Sequence, residues 1–134
     1  MNIGDYVRTN EGRIAKCNKI ERMYKAGTYY FFDKPLYQEY GDYYLPYISN
    51  KNAKYEVKKI SPNIIDLIEE GDYVNGMLIT NIWVDKETSN IEFEFNNHES
   101  YLYPKSWNYE SRVTKYKIKS IVTKEQFESM EYKL

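Results

Sequence analysis

The tetrapeptide Gly-Asp-Tyr-Val occurs twice in this chain of 134 residues, at positions 4–7 and 71–74. Each copy precedes a segment rich in β-forming residues, and each segment closes on a similar tail, at 57–60 in the first copy and 118–121 in the second. A head and a tail repeated in the same order predict a duplicated module. We therefore expect a first module over residues 1–69 and a second over residues 70–134, each near the lower size limit for independent folding.

The residue pattern within each module predicts a small β fold. A turn ending at Gly12 separates a short strand from a strand over residues 13–22, and this opening hairpin resembles those of SH3-like barrels. Asn75-Gly76 is a strong signal for a type I′ hairpin turn, and residues 91–95 alternate between apolar side chains and glutamates. The expected fold class is mainly β, with two tandem SH3-like small barrels that each end in a short helix. In the strand after the Asn-Gly turn, the side chains that are expected to lie on one face are those of Leu78, Thr80, Ile82 and Val84.

Helix signals follow the tail of each module. Ser61 before a proline predicts a helix start, running to Ile68. Thr123 and Gln126 are spaced as a capping box and predict a C-terminal helix. Between residues 36 and 52 a glycine and prolines interrupt any helical period, so short strands and an ordered loop are expected there. Closing strands are expected over residues 55–60 and 113–121.

Charge and cysteine content narrow the class of protein. The chain has 19 basic and 20 acidic residues, and this balance argues against general nucleic-acid binding. Its single cysteine, Cys17, excludes an internal disulfide and a cysteine-based zinc site and favours a reducing compartment. The sequence has neither an apolar run near 18 residues nor an N-terminal secretion signal. These features predict a cytoplasmic protein without a membrane partner.

The sequence contains no nucleophile motif, P-loop, dinucleotide fingerprint or paired metal-ligand spacing. The only histidine, His98, lies in a polar stretch and is interpreted as an exposed loop residue. Asp5 and Asp72 lie in matching turns, where a structural role is the simpler interpretation. We therefore expect a protein that is not an enzyme, with no catalytic residue, metal site or cofactor.

The 16 tyrosines are the main candidates for function. Adjacent tyrosines in a strand point to opposite faces, so some must be exposed. Exposed Tyr and Trp rings provide contact area at low conformational cost and stack on bases, and Arg8, Arg13, Arg22 or Arg112 beside them would hold a phosphate. The alternative is that these rings only fill two barrels of unusual composition. The expected ligand-binding residues are Tyr29, Tyr30, Tyr43, Tyr44, Tyr47, Tyr101, Tyr103, Trp107 and Arg112.

Two stretches of the chain, SPNIIDLIEEGDYVNG at 61–76 and residues 118–132, resemble a group of small prophage proteins from low-GC Gram-positive bacteria. In that group these stretches frame variable middle segments. The resemblance implies a phage origin and a site of action in the cytoplasm of the host bacterium. Small phage proteins without enzymatic signatures often counter host defence by binding.

Two binding mechanisms are open at this point. One is sequestration, without cleavage, of a nucleotide second messenger such as a cyclic dinucleotide or an ADP-ribose derivative. The other is direct inhibition of a host defence protein, of the anti-CRISPR type. Stacking rings and few arginines favour the first, and a homo-oligomer is compatible with both.

Overall fold

The computed structural model describes the backbone of residues 1–38, 43–87, 90–103 and 118–130, and the side chains of all of these except 101–103 and 130. The chain divides into two compact units, Met1–Leu67 and Ile68–Leu134. Each unit contains one five-stranded antiparallel sheet, so the fold is mainly β, as expected.

The sheet of the first unit has the strand order β4-β3-β2-β1-β5. Its long second strand belongs to two ladders, because Ile14–Lys16 pair with β1 whereas the strand from Cys17 onward pairs with β3. A bulge at Asn18 interrupts the second ladder, one residue after the strand changes partner. A seven-residue helix, α1, follows β4, and a single 3-10 turn over Ile64–Leu67 follows β5. The elements are β1 (Tyr6–Thr9), β2 (Ile14–Met23), β3 (Gly27–Phe32), β4 (Tyr47–Ser49), α1 (Asn50–Glu56) and β5 (Val57–Ser61).

The sheet of the second unit has the equivalent order β9-β8-β7-β6-β10, in which the unit's first strand again lies between its second and its last. Among the described residues neither sheet closes into a barrel, since each ends in two edge strands. The elements are β6 (Tyr73–Val74), β7 (Met77–Val84), β8 (Ile91–Phe95), β9 (Ser100–Tyr103), β10 (Ile121–Val122) and α2 (Lys124–Met130).

Each unit has its own buried apolar residues. In the first unit Ala53 of α1 and Val57 of β5 pack against the core cluster. That cluster consists of Val7, Ala15, Cys17, Phe32, Leu36 and Ile48. The buried apolar side chains of the second sheet are Val74, Ile79, Phe93 and Phe95.

The glycines of the two Gly-Asp-Tyr-Val heads have the same conformation. Gly4 has φ of +96° and Gly71 has φ of +94°, a region that favours glycine because a side chain at Cβ is strained there. The amide of Gly4 donates to the carbonyl of Cys17 at 2.7 Å, and the amide of Gly71 donates to that of Ile79 at 2.9 Å. The heads therefore begin their sheets in the same register.

The aspartates of the heads also make the same turn. Asp5 accepts a hydrogen bond from the backbone amide of Asn2 at 2.8 Å, and Asp72 accepts one from the amide of Glu69 at 2.8 Å. Both carboxylates act as local turn acceptors. This geometry agrees with the structural role expected for both aspartates.

Several local predictions are confirmed. Asn75 and Gly76 have φ of +52° and +82°, as a type I′ turn requires. The amide of Gln126 is 3.3 Å from Thr123 Oγ1, and Gln126 Oε1 is 3.4 Å from the Thr123 amide, which is the expected reciprocal cap. The aromatic residue of that helix, Phe127, stacks on Tyr73 with ring centroids 4.7 Å apart.

The helix content of the first unit differs from expectation. Residues 50–56 were expected to lie in an ordered loop and the start of the closing strand, but they form α1, and the closing strand begins at Val57. The helix expected from Ser61 is the 3-10 turn, which begins later because Asn63 Oδ1 accepts from the amide of Ile65. The closing strand expected over 113–121 falls largely outside the described residues; only Ile121–Val122 are seen paired.

The prediction that Leu78, Thr80, Ile82 and Val84 share one face of β7 is wrong. A bulge between Ile79 and Asn81 inserts Thr80 into the strand, and this shifts the alternation by one residue. Ile79 and Ile82 therefore face the core beside Phe95 and Phe93, whereas Thr80 is exposed.

The described part of the chain contains no helix with the length and apolar character needed to cross a membrane.

Candidate functional site

The outer face of β3 and β4 carries three aromatic rings. Tyr29 and Phe31 alternate with buried or core-facing residues along β3, and Tyr47 lies beside them on β4. The ring centroid of Tyr47 is 6.5 Å from that of Tyr29 and 5.7 Å from that of Phe31. Lys19 of β2 adds a cation, with its Nζ 5.3 Å from the Phe31 ring. Lys19 is also paired with Glu21 Oε2 at 3.3 Å, and Glu21 lies opposite Tyr29 in the β2–β3 ladder. The sheet therefore presents a half-buried aromatic face with an ion pair beside it.

A cavity of about 340 Å³ opens beside Tyr29. One wall is the end of the β2–β3 hairpin, including Thr28, and the other is the junction of β4 and α1 at Ser49. Lys51 and Lys54 of α1 also line it. We call this cavity, which Tyr29 and the two lysines line, the tyrosine–lysine groove.

Local capping explains why α1 begins where it does. Ser49 has extended backbone angles, and its Oγ accepts a hydrogen bond from the amide of Asn52 at 3.1 Å. Lys51 and Lys54 are three residues apart in the helix, a spacing that places both on one side of it. Both are exposed, and neither forms an ion pair with any residue whose side chain is described.

A smaller recess of about 20 Å³ adjoins the groove. Its lining includes Tyr29 and Ser49, which it shares with the groove, and the rings of Tyr37 and Tyr47. Tyr37 is held in place by an isolated bridge to Leu45. The two cavities together give a continuous surface with rings at one end and amines at the other.

Of the nine predicted site residues, Tyr29 and Tyr47 are brought together and Tyr30 is not. Tyr30 follows Tyr29 in β3, so it faces the other side of the sheet and packs against the core. Its hydroxyl donates to Asn50 Oδ1 at 3.1 Å. Tyr30 is therefore a structural residue and not part of the outer face.

Tyr44 belongs to a separate contact with the β1–β2 turn. The Arg13 guanidinium carbon is 3.4 Å from the centroid of its ring, and its hydroxyl donates to Glu11 Oε2 at 2.7 Å. The hydrogen bond to Glu11 is the main reason that the pKa of Tyr44 is raised, and burial adds to it. With one ring face occupied, Tyr44 is tied to the turn. Its neighbour Tyr43 is 80% exposed.

The remaining predicted residues lie in the second unit. Tyr101 and Tyr103 lie in β9, where their backbones pair with Phe93 and Ile91. Trp107 and Arg112 lie outside the described residues.

The arginines that were candidates for holding a phosphate have different roles. Arg8 is completely buried, and its Nη1 donates to the carbonyl of Leu67 at 2.9 Å, so it is not accessible to a ligand. Arg13 stacks on Tyr44. Arg22 is exposed and pairs in register with Thr28, which lines the groove.

The residues that sequence reasoning missed are Tyr37, Ser49, Lys51 and Lys54. The available signal was Ser49 followed by a segment with lysines three apart. That segment is a capped helix, but its neighbouring prolines and glycine favoured a loop interpretation.

Groups with catalytic potential lie elsewhere. Cys17 is buried, its thiol donates to the carbonyl of Lys19 at 3.7 Å, and burial raises its pKa. His98 is exposed in the β8–β9 hairpin with φ of +68°. Within the described part of the chain, no cluster of three or more His, Cys, Asp or Glu side chains has metal-binding geometry.

Comparison with protein-family models, with curated proteins and with solved structures finds no match to this chain.

Proposed function

We propose that this protein binds a small nucleotide-derived ligand in the tyrosine–lysine groove and holds it without cleaving it. The observation that carries the proposal is one cavity of about 340 Å³ lined by Tyr29 and by two exposed lysines, Lys51 and Lys54. A nucleotide has a base that stacks on a ring and a phosphate that attracts amines, so the groove matches both halves.

Ring stacking and charge both contribute to the binding of such a ligand. Stacking of a base on an aromatic side chain contributes roughly 1–3 kcal/mol. A lysine acts as a point charge toward phosphate, without the two-pronged geometry of arginine. The groove volume lies at the lower end of the about 300–1,000 Å³ typical of ligand pockets. These terms support reversible binding of a small anion with an aromatic group.

The biological setting that we propose is phage counter-defence in the cytoplasm of a bacterial host. It rests on the resemblance of residues 61–76 and 118–132 to prophage proteins. Sequestering a nucleotide immune signal needs a binding groove and no catalytic group, and this is the chemistry that the groove offers.

We also propose that each unit is an SH3-like small barrel. The support is the shared strand order, in which the first strand of each unit lies between its second and its last. In each unit a bulge in the second strand, at Asn18 and at Thr80, lies just after that strand changes partner and lets it bend there.

The test is titration of the full chain with a panel of cyclic dinucleotides and cyclic ADP-ribose isomers by isothermal titration calorimetry. We expect at least one ligand to bind and to be released chemically unaltered after denaturation, as read by chromatography. Tyr29→Ala should weaken that binding about tenfold, and Tyr24→Ala, a change at a tyrosine that is 91% exposed outside the groove lining, should not. Silence of the whole panel would refute a cyclic messenger as the ligand.

A second candidate function, direct inhibition of a host defence protein, is favoured by the β2–β3 hairpin end. Met23 is 37% exposed and Tyr24 is 91% exposed there, with Lys25 at φ of +66°. Exposed Tyr and Met side chains are typical of protein contact surfaces. A pull-down from infected host lysate should then retain a partner that the Tyr24→Ser variant loses; recovery of no partner by the unaltered protein counts against this function.

A further inference from the structure

We infer that the chain binds one ligand molecule, in the first unit only, and that the ligand is an aromatic phosphate the size of a single nucleotide. This inference rests on the proposed function and specifies its stoichiometry and ligand class. Three observations carry it: the divergence of the two sheets, the volumes of the two cavities and the positions of the amines.

The two sheets can be compared residue by residue, because their ladders have the same register. Cys17 pairs with Phe32, and after a one-residue bulge Lys19 pairs with Phe31. Ile79 pairs with Phe95 in the same way, and after a one-residue bulge Asn81 pairs with Glu94. Continuing along these ladders gives the equivalent outer positions, which are Tyr29 and Glu92, Phe31 and Glu94, and Tyr47 and Ser100.

The inward positions of these ladders are apolar or aromatic in both units. The outward positions of β3 and β8 differ between the units. Where the first unit presents Tyr29 and Phe31, the second presents the carboxylates of Glu92 and Glu94. Glu94 is also held in place, since its Oε1 accepts from Asn81 Nδ2 at 2.8 Å. Like charges repel, so this acidic face disfavours a phosphate at the equivalent place. Over the residues that the structure describes, this difference favours one ligand per chain and not two.

The cavity volumes favour a small ligand. The groove has about 340 Å³, near the lower limit of about 300 Å³ for small-molecule pockets. The adjoining recess has about 20 Å³, little more than the roughly 10–15 Å³ that a single water requires. A second base has no room in that recess. The surface therefore suits one base and one phosphate.

The amines place the phosphate at the α1 side of the groove. Lys51 and Lys54 are one helical turn apart on α1, and Tyr29 of β3 lines the same groove. A base stacked toward Tyr29 leaves the phosphate of the same nucleotide facing the lysines. Binding by two point charges should weaken as salt increases, because mobile ions screen exposed charges.

The experiment is calorimetric titration of the full chain with the four nucleoside 5′-monophosphates, with the matching nucleosides and with inorganic phosphate. We expect a monophosphate to bind with one site per chain, and the matching nucleoside and phosphate alone to bind at least roughly tenfold more weakly. The double variant Lys51→Gln/Lys54→Gln should abolish the preference for the monophosphate over its nucleoside. The matched control Lys34→Gln/Lys86→Gln removes two exposed lysines outside the groove lining and should keep the preference.

The outcomes separate this inference from the proposed function. Two sites per chain, or one site shared by two chains, would overturn the stoichiometry. A nucleoside that binds as tightly as its monophosphate would overturn the phosphate site. Silence of every monophosphate, together with Tyr29-dependent binding of a cyclic dinucleotide, would overturn the ligand size and leave the proposed function standing. Silence of both panels would refute the proposed function itself.

Discussion

The carboxylate of Asp72 accepts a hydrogen bond from the backbone amide of Lys124 at 2.9 Å, although 52 residues separate them in the chain. The other carboxylate oxygen accepts from the amide of Glu69 at 2.8 Å. The ammonium of Lys124 is in turn 2.9 Å from Glu69 Oε1. This completely buried aspartate therefore connects the head of the second unit to the first turn of α2.

Replacing Asp72 with alanine should destabilise the second unit. The change leaves buried backbone amides without their charged acceptor, and we expect a loss of about 2–4 kcal/mol in the free energy of unfolding. Asp5→Ala is the matched control. Asp5 occupies the equivalent turn but is only half-buried, so its loss should be about 1 kcal/mol. Urea unfolding monitored by circular dichroism measures both, and equal losses would contradict a stabilising role of the Asp72–Lys124 bond.

Arg8 should act on stability and not on ligand binding. It is completely buried and donates to Leu67 within the first unit. Arg8→Lys keeps the charge but loses the planar geometry of the guanidinium, and we expect a loss of about 2 kcal/mol or more. Ligand affinity of the folded fraction should stay unchanged. Arg22→Lys, at an exposed position, is the control for stability. If Arg8→Lys unfolds like the unaltered protein but no longer binds the ligand, a purely structural role of Arg8 is contradicted.

Substitutions at the two adjacent tyrosines of β3 should have different effects, one on ligand binding and the other on stability. Tyr29→Ala removes a ring from the groove, so ligand affinity should fall about tenfold with little change in stability. Tyr30→Ala removes a ring that packs against the core, so stability should fall by about 1–3 kcal/mol. Thermal unfolding and calorimetric titration of both variants test the distinction. The control is Tyr43→Ala, which is largely exposed and should change neither; reversed effects of the two β3 variants would disprove that Tyr29 faces outward and Tyr30 faces the core.

Cys17 should react slowly in the folded protein. Burial raises the pKa of its thiol, so less thiolate is present in alkaline buffer than for an unfolded cysteine. Labelling with a thiol-reactive disulfide dye should be slow in native buffer and complete in urea.

The same shift in the pKa of Cys17 predicts a direction of pH dependence. Because the folded-state pKa is the higher one, the stabilisation is complete below the unfolded-state pKa and is lost as the pH rises through the folded-state value. The stability difference between the unaltered protein and Cys17→Ala should therefore shrink between neutral and strongly alkaline pH. A constant difference would show that the thiol does not titrate with folding.

Local sequence chemistry predicted the elements that depend on few neighbouring residues. The Asn75-Gly76 turn follows from backbone angles that those two residues tolerate, and the Thr123 cap follows from a side chain three residues from its partner. Helix α1 was missed because seven residues are too few for an isolated helix to be stable in water. Packing of Ala53 against the core stabilises it in the folded unit, and no local pattern reports that contact.

The candidate site was predicted only in part for a related reason. The richness in tyrosine indicated where to look, and Tyr29 and Tyr47 do lie together. The sequence did not distinguish Tyr29 from Tyr30. Alternation along a strand shows that two neighbouring side chains face opposite sides of the sheet, but it does not show which side faces the core. Lys51 and Lys54 became candidates only once α1 placed them beside Tyr29.

By itself, the sequence determined that the chain is mainly β. It also established the Gly-Asp-Tyr-Val repeat, the Asn75-Gly76 turn and the Thr123 cap, because these depend on residues close together in the chain or on a repeated pattern. Only the tertiary structure decided which side chains of each strand point to the core. One-residue bulges at Asn18 and Thr80 shift every later side chain in their strands to the other face, and a bulge has no dependable signature in the sequence. Those bulges place Lys19 and Asn81 at equivalent positions, and the same registers show an aromatic face on one sheet and an acidic face on the other.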